Sequence, residues 1–231
     1  YPINNTQKLN NIKWRSLQTR ELEKNYHINK IFYNNSNVLD KYILHMKTRE
    51  NNMTTYYINY MNLKKYKMLS RKELNLPENK YILFCIQNIM KINIGFLNIL
   101  KMLISKEPNI IILFGRSGIS DIKIQYINNI LNNHAIFIDN VSLVVFNNYI
   151  NVSDLAIDPF PFGGCNSSLE TLSLGKILIT RPSKYLPGRF TYGFYKKIGI
   201  TEPIVNTYEK NINIIIYYLY NIKERHILEQ K

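Results

Sequence analysis

The sequence predicts an α/β fold: a parallel sheet with helices on both faces. From Lys80 onward, short apolar runs alternate with stretches whose apolar residues recur at helical spacing. Strands alternating with helices pair in parallel and bury both faces. One stretch also indicates where a ligand sits. Asp158-Pro159-Phe160-Pro161-Phe162-Gly163-Gly164-Cys165-Asn166-Ser167-Ser168-Leu169-Glu170 follows the apolar run Leu155-Ala156-Ile157 and reads as strand, tight Gly-rich turn, helix.

In chain order, residues 81–86 are the first strand, and residues 94–104 a helix with Ile94, Leu97, Leu100 and Ile104 on one spacing. Residues 109–114 are a buried strand, 115–118 a turn and 121–131 a helix. A short strand at 135–138, a helix at 144–150 and a strand at 155–157 follow. The helix after the Gly-Gly turn spans 167–174, with a strand at 176–180 and a helix at 189–198 beyond it. Ile204-Val205 reads as a last short strand, and 208–224 as one closing helix.

Two regions are expected. Residues 1–70 are a polar N-terminal segment and linker, and residues 71–231 form the sheet domain. In the first region, 10–25 reads as a weakly periodic amphipathic helix, 38–46 as a strand or the end of another unit, and 53–60 as extended linker. Ser70-Arg71-Lys72-Glu73 reads as a capping box that opens a short helix ending before Pro77.

In open parallel sheets, ligands sit outside the carboxyl ends of the strands. The segments there are Gln87–Lys91, 115–118, 139–142, 163–168 and 181–184, three of which carry Lys or Arg. Together they form an anion-binding rim. Asn166 or Ser167 is the expected N-cap. Bare first-turn N–H groups and two hydroxyls suit an anion, Gly163-Gly164 permits close backbone approach, and Glu170 lies one turn in, within reach of a sugar hydroxyl. The same residues also read as a well-capped helix after a buried strand. Neither a Gly-x-x-x-x-Gly-Lys pattern nor a complete Gly-x-Gly-x-x-Gly is present, which argues against an NTPase or a nicotinamide dehydrogenase.

Composition bounds the rest. The 231 residues are 45% hydrophobic, enough for a real core, and no apolar run reaches the length of a membrane span. The first residue is Tyr1, so a piece of a longer chain is expected. Cys85 and Cys165 are too few for a disulfide framework or zinc site and suit a reducing compartment, cytoplasmic or nuclear. The four histidines have no ligand spacing. Thirty basic against sixteen acidic residues give a net charge of +14. The lysines are spread, without a nucleic-acid motif, so neither nucleic acid nor membrane is an expected partner; an anionic nucleotide-sugar is.

Five motifs in order resemble the C-terminal half of family 41 glycosyltransferases, the protein O-GlcNAc transferases and their bacterial and Spindly-type relatives. They are Cys85-Ile86-Gln87-Asn88-Ile89-Met90-Lys91, Ser153–Phe160, Gly163–Glu170, Leu174–Pro182 and Leu186–Tyr192, within residues 70–205. The resemblance implies a GT-B enzyme of two Rossmann-like halves, of which this is the donor-binding one. It implies UDP-GlcNAc as donor, a protein Ser or Thr hydroxyl as acceptor, inversion at the anomeric carbon, and no metal or further cofactor. Lys91 then stabilises charge on the leaving nucleotide. Gln87, Asn166, Ser167 and Ser168 meet the phosphates, Glu170 the ribose, and the backbone of Val141 the base.

Departures accompany it. The family's basic and His contacts to ribose and base fall near Leu143 and Phe146, where Phe146 stacks on a base or joins the core. Arg189 pins the loop 184–188 or meets ligand, and Asp154 and Asp158 cap and turn the chain. Residues 1–70 are too short and polar for an acceptor-binding half. A truncated non-catalytic remnant, binding nucleotide or a protein partner, and a GDP-fucose-using O-fucosyltransferase are the alternatives.

Overall fold

The computed structural model describes residues 68–231 except Ile86. The segments 10–25, 38–46 and 53–60 lie outside the described residues.

Five strands form one parallel sheet: β1 (Tyr81–Cys85), β2 (Ile110–Gly115), β3 (Ala135–Ile138), β4 (Leu155–Ile157) and β5 (Leu178–Ile179), in the order β3-β2-β1-β4-β5. The strands are almost wholly apolar, and Ile82, Leu83, Ile112, Leu113, Leu155 and Ala156 are fully buried, as a sheet covered on both faces requires. The helices are α1 (Ile94–Lys106), α2 (Asp121–Ile130), α3 (Leu143–Val152), α4 (Asn166–Ser173), α5 (Phe190–Ile198), α6 (Tyr208–Tyr220) and α7 (Ile222–Glu229). Strand order runs outward from β1 to β3 and restarts at β4. With right-handed crossovers this puts α1 and α2 on one face and α3 and α4 on the other. Accordingly α1 touches α2 and α6, while α4 touches α3 and α5.

Polar side chains start the helices where a residue of the right type precedes the apolar run. Asn93 Oδ1 accepts from Phe96 N at 3.1 Å, Ser142 Oγ from Val145 N at 3.4 Å and Thr207 Oγ1 from Lys210 N at 3.1 Å, satisfying donors the helix itself leaves open.

Three expectations change. Ser70 and Glu73 do form a reciprocal pair, Ser70 N donating to Glu73 Oε2 at 2.8 Å and Glu73 N to Ser70 Oγ at 3.2 Å. They close a turn rather than open a helix, because Asn75 turns left-handed at φ 55°. The closing helix is two, broken at Asn221 (ψ 68°). Residues 204–205 supply only a parallel bridge, Thr180 to Ile204, beyond a two-residue β5.

Candidate functional site

The strand order reverses between β1 and β4, and the two loops leaving their carboxyl ends meet there. After β1 the chain makes a 3-10 turn, Ile89–Lys91, whose start is capped by Asn88: Met90 N donates to Asn88 Oδ1 at 2.9 Å. This brings Lys91 back over the sheet. Its ammonium donates to Gln87 Oε1 at 3.0 Å and to Gly163 O at 2.9 Å, and lies 4.9 Å from the Phe162 ring centroid. Gln87 Nε2 in turn donates to Ser167 Oγ at 2.5 Å. Three side chains from the β1 loop and the α4 start are thus joined. Among the described residues, two of the ammonium's three N–H donors are occupied.

Asp158 organises the Gly-Gly turn from beneath. Its Oδ1 accepts from Gly164 N at 2.6 Å, and its Oδ2 from Thr180 Oγ1 at 2.9 Å and Thr191 Oγ1 at 2.7 Å. The Thr191 hydroxyl also lies 2.8 Å from Ser168 Oγ; its single hydrogen goes to the carboxylate, so Ser168 donates to it. Glycine is required above this carboxylate. A Cβ on Gly163 would stand 2.7 Å from Asp158 Oδ2. A Cβ on Gly164 would strike Ser168 Oγ and lie 2.9 Å from both Gln87 Nε2 and Ser167 Oγ.

The N-cap of α4 differs from expectation. Cys165 holds that position without a side-chain cap bond, and Asn166 and Ser167 are the first two helical residues. A thiol is a poor acceptor, so the cap does not quench the positive end of α4, and Lys91 stands beside it. Burial disfavours charge at both ionisable groups here. It lowers the Lys91 ammonium from its usual range, opposed by nearby Asp158, and raises the Asp158 carboxyl, opposed by the Gly164 amide, the two threonines and Lys91. The Cys85 thiol, at the end of β1, is raised by burial and next by Asp158.

The other expected site residues are placed as follows. Asn166 is exposed on the first turn of α4 and Glu170 half-buried one turn later. Ser168 is fully buried, its hydroxyl spent on Thr191. Val141 is exposed just before α3, at the β3 end of the rim and two strands from β1. Leu143 is exposed, and Phe146, half-buried, packs edge-on against Phe84 at 5.4 Å and so faces the core. Arg189 pins its loop, Nη1 donating to Ser183 O at 2.8 Å. Asp154 caps and braces, accepting from Ile82 N at 2.7 Å and pairing with Arg71 at 2.8 Å and Arg225 at 3.5 Å. Phe162 and Thr191 were not singled out by sequence. An aromatic immediately before the Gly163-Gly164 turn is the signal for the first; Thr191 carries none.

Among the described residues there is no group of three or more His, Cys, Asp or Glu placed to hold a metal, and no helix long and apolar enough to cross a membrane.

No protein-family model and no curated protein matches the sequence. Among solved structures, a variant of the Thermobaculum terrenum O-GlcNAc transferase superposes with a TM-score of 0.63 at 18% identity, over 66% of this chain and 31% of that one. The catalytic domain of a Helicobacter pylori cholesterol-alpha-glucosyltransferase matches at TM-score 0.49 and 14% identity, over 65% of this chain and 92% of that one, too loosely to carry weight. The chain therefore spans under a third of the O-GlcNAc transferase it superposes on. What they share is the fold: this chain is α/β, a Rossmann-like parallel sheet of the kind that forms one half of a GT-B glycosyltransferase.

Proposed function

We propose that the chain is the C-terminal, nucleotide-sugar-binding half of a protein O-glycosyltransferase, with UDP-GlcNAc as donor and a Ser or Thr hydroxyl as acceptor. The observation that carries this is the hydrogen-bonded series Lys91–Gln87–Ser167 beside the uncapped start of α4. A diphosphate resting there meets a cation, a hydroxyl and a helix N-terminus together. Asn166 and Ser167 serve the phosphates, Glu170 the ribose and the Val141 backbone the base. Ser168, being buried, supports the turn.

In this reading the acceptor oxygen attacks the anomeric carbon opposite the leaving UDP. The new C–O bond forms as the bond to the β-phosphate oxygen breaks, and UDP leaves with the electron pair. The acceptor proton passes to a base on the acceptor side. Lys91 and α4 neutralise the charge growing on UDP without a metal, and the charge is largest after bond breaking, so the interaction favours the transition state. Incubation of the longest natural chain with UDP-GlcNAc and a Ser/Thr peptide, followed by mass spectrometry, tests it. A hexosamine mass shift is expected; its absence sinks the activity.

A second reading is a non-catalytic nucleotide- or partner-binding remnant. Leu143 and the core-facing Phe146 favour it, because neither supplies a polar contact to ribose or base. GDP-fucose in place of UDP-GlcNAc is the alternative donor, so both are included in the transfer assay.

A further inference from the structure

The loop after β5 carries two cations that the site as described does not use. Arg181 stands where β5 ends. Its Cζ is 4.0 Å from the Tyr208 ring centroid and 5.0 Å from that of Phe160. Phe160 is itself held, its carbonyl accepting from Asn93 Nδ2 at 2.5 Å and its ring packing edge-on against Phe96 at 5.4 Å. The two rings touch, their centroids 5.3 Å apart, and the guanidinium lies over the pair. Yet among the described residues Arg181 has no hydrogen bond or ion pair, and its Nε is buried without a partner. Three residues on, Lys184 lies 5.1 Å from the Tyr185 ring and likewise has no acidic partner among the described residues. The contrast is Arg116 on the same rim, paired with Asp121 at 3.2 Å and Asp139 at 3.7 Å.

This loop is tied to the candidate site. Gly163 N donates to Pro187 O at 3.0 Å, and Gly163 O takes the Lys91 ammonium. Within the loop, Ser183 N donates to Gly188 O at 3.1 Å, and Arg189 reaches Ser183 O. The cations stand on a braced platform, with Tyr185 and Tyr208 exposed beside them.

We infer that Arg181 and Lys184, with Tyr185 and Tyr208, form a docking surface for an acidic peptide segment; resting on the glycosyltransferase reading, that segment flanks the acceptor hydroxyl. A guanidinium held over aromatic rings, with no acidic partner among the described residues, suits capture of a carboxylate through its terminal nitrogens. Lys91 follows β1 and Arg181 follows β5, strands two spacings or about 10 Å apart; in this assignment Arg181 meets the peptide and Lys91 the diphosphate. Charge complementarity points the same way, with 30 basic residues against 16 acidic. A nucleic acid fits less well, since its bases would have to compete with the cations already lying on these rings.

The test is fluorescence anisotropy of the whole chain with two labelled Ser-centred peptides, one flanked by Asp and Glu and one by Asn and Gln. The acidic peptide is expected to bind about tenfold tighter, with Arg181→Gln removing most of that preference and Lys184→Gln a few-fold of it. Lys184→Glu, at an exposed position, keeps the test alive if Arg181→Gln fails to fold; it must abolish or reverse the preference. Equal binding of the two peptides overturns the inference, as does a preference untouched by these variants. So does tighter binding of a single-stranded oligonucleotide of equal charge. A parallel UDP titration separates the two readings. Arg181-dependent peptide binding without UDP binding keeps the surface and removes the donor site; UDP binding without peptide preference does the reverse.

Discussion

Gln87 Nε2 donates to Ser167 Oγ at 2.5 Å, joining residues 80 positions apart. The bond exists because β1 and β4 are neighbours and both loops leave at their carboxyl ends. It pre-positions the hydroxyl that meets the phosphates in the proposed complex. Gln87→Ala is expected to weaken UDP binding about fivefold to tenfold, the worth of one neutral hydrogen bond. Thermal stability should stay within about 1 kcal/mol, as measured by denaturant melts.

Gly164→Ala probes the space above Asp158. The added methyl strikes Ser168 and crowds Gln87 and Ser167. Overpacking of this kind costs about 1–3 kcal/mol. UDP affinity should fall by more than in Gln87→Ala, since both ends of that hydrogen bond are displaced; unchanged affinity would refute the close packing.

Asp158 couples stability to pH. Burial raises its folded pKa above the unfolded value, so the native state binds the extra proton between the two values. Its contribution is complete below the unfolded pKa and is lost as pH rises through the folded one. Denaturant melts should show wild-type stability declining across that window relative to Asp158→Asn. Asp158→Ala should cost about 3 kcal/mol below that window and less above it: the Gly164 amide and the Thr180 and Thr191 hydroxyls lose their acceptor, and the variant lacks the carboxyl that titrates.

Lys91 gives the opposite test, on binding. Desolvation lowers its folded pKa, and a bound diphosphate favours the charged form again. UDP affinity should therefore fall as pH is raised through the lowered value, with proton uptake on binding in that range. In Lys91→Arg the cation persists at alkaline pH, so the fall should vanish. Calorimetry in two buffers of different ionisation enthalpy reads the proton directly.

Much of the fold was legible because the strands are unbroken apolar runs: Ile82–Cys85 or Ile110–Phe114 in sequence allow few other placements in a domain of this size. The rim was legible for the same reason, since parallel strands send every following loop to one edge. The break at Asn221 was not, because apolar spacing continues from Leu219 to Ile222 and beyond. Nor was the cap at Cys165: cysteine is not a capping residue, and Asn166 and Ser167 next to it are. The Asp158 hub could be placed at a turn but not resolved, since its partners Thr180 and Thr191 lie 22 and 33 residues away. Phe146 shows the limit of single positions: helix α3 turns it onto Phe84, which spacing alone does not decide.

The central claim is that Lys91, Gln87 and Ser167 surround a diphosphate. Isothermal titration of the chain with UDP tests it most directly, alongside Lys91→Ala. Saturable binding is expected, weakened about 10- to 100-fold in the variant, the worth of a charge-assisted contact of about 1.5–3 kcal/mol. No heat at millimolar UDP, or equal affinity in wild type and Lys91→Ala, would contradict it.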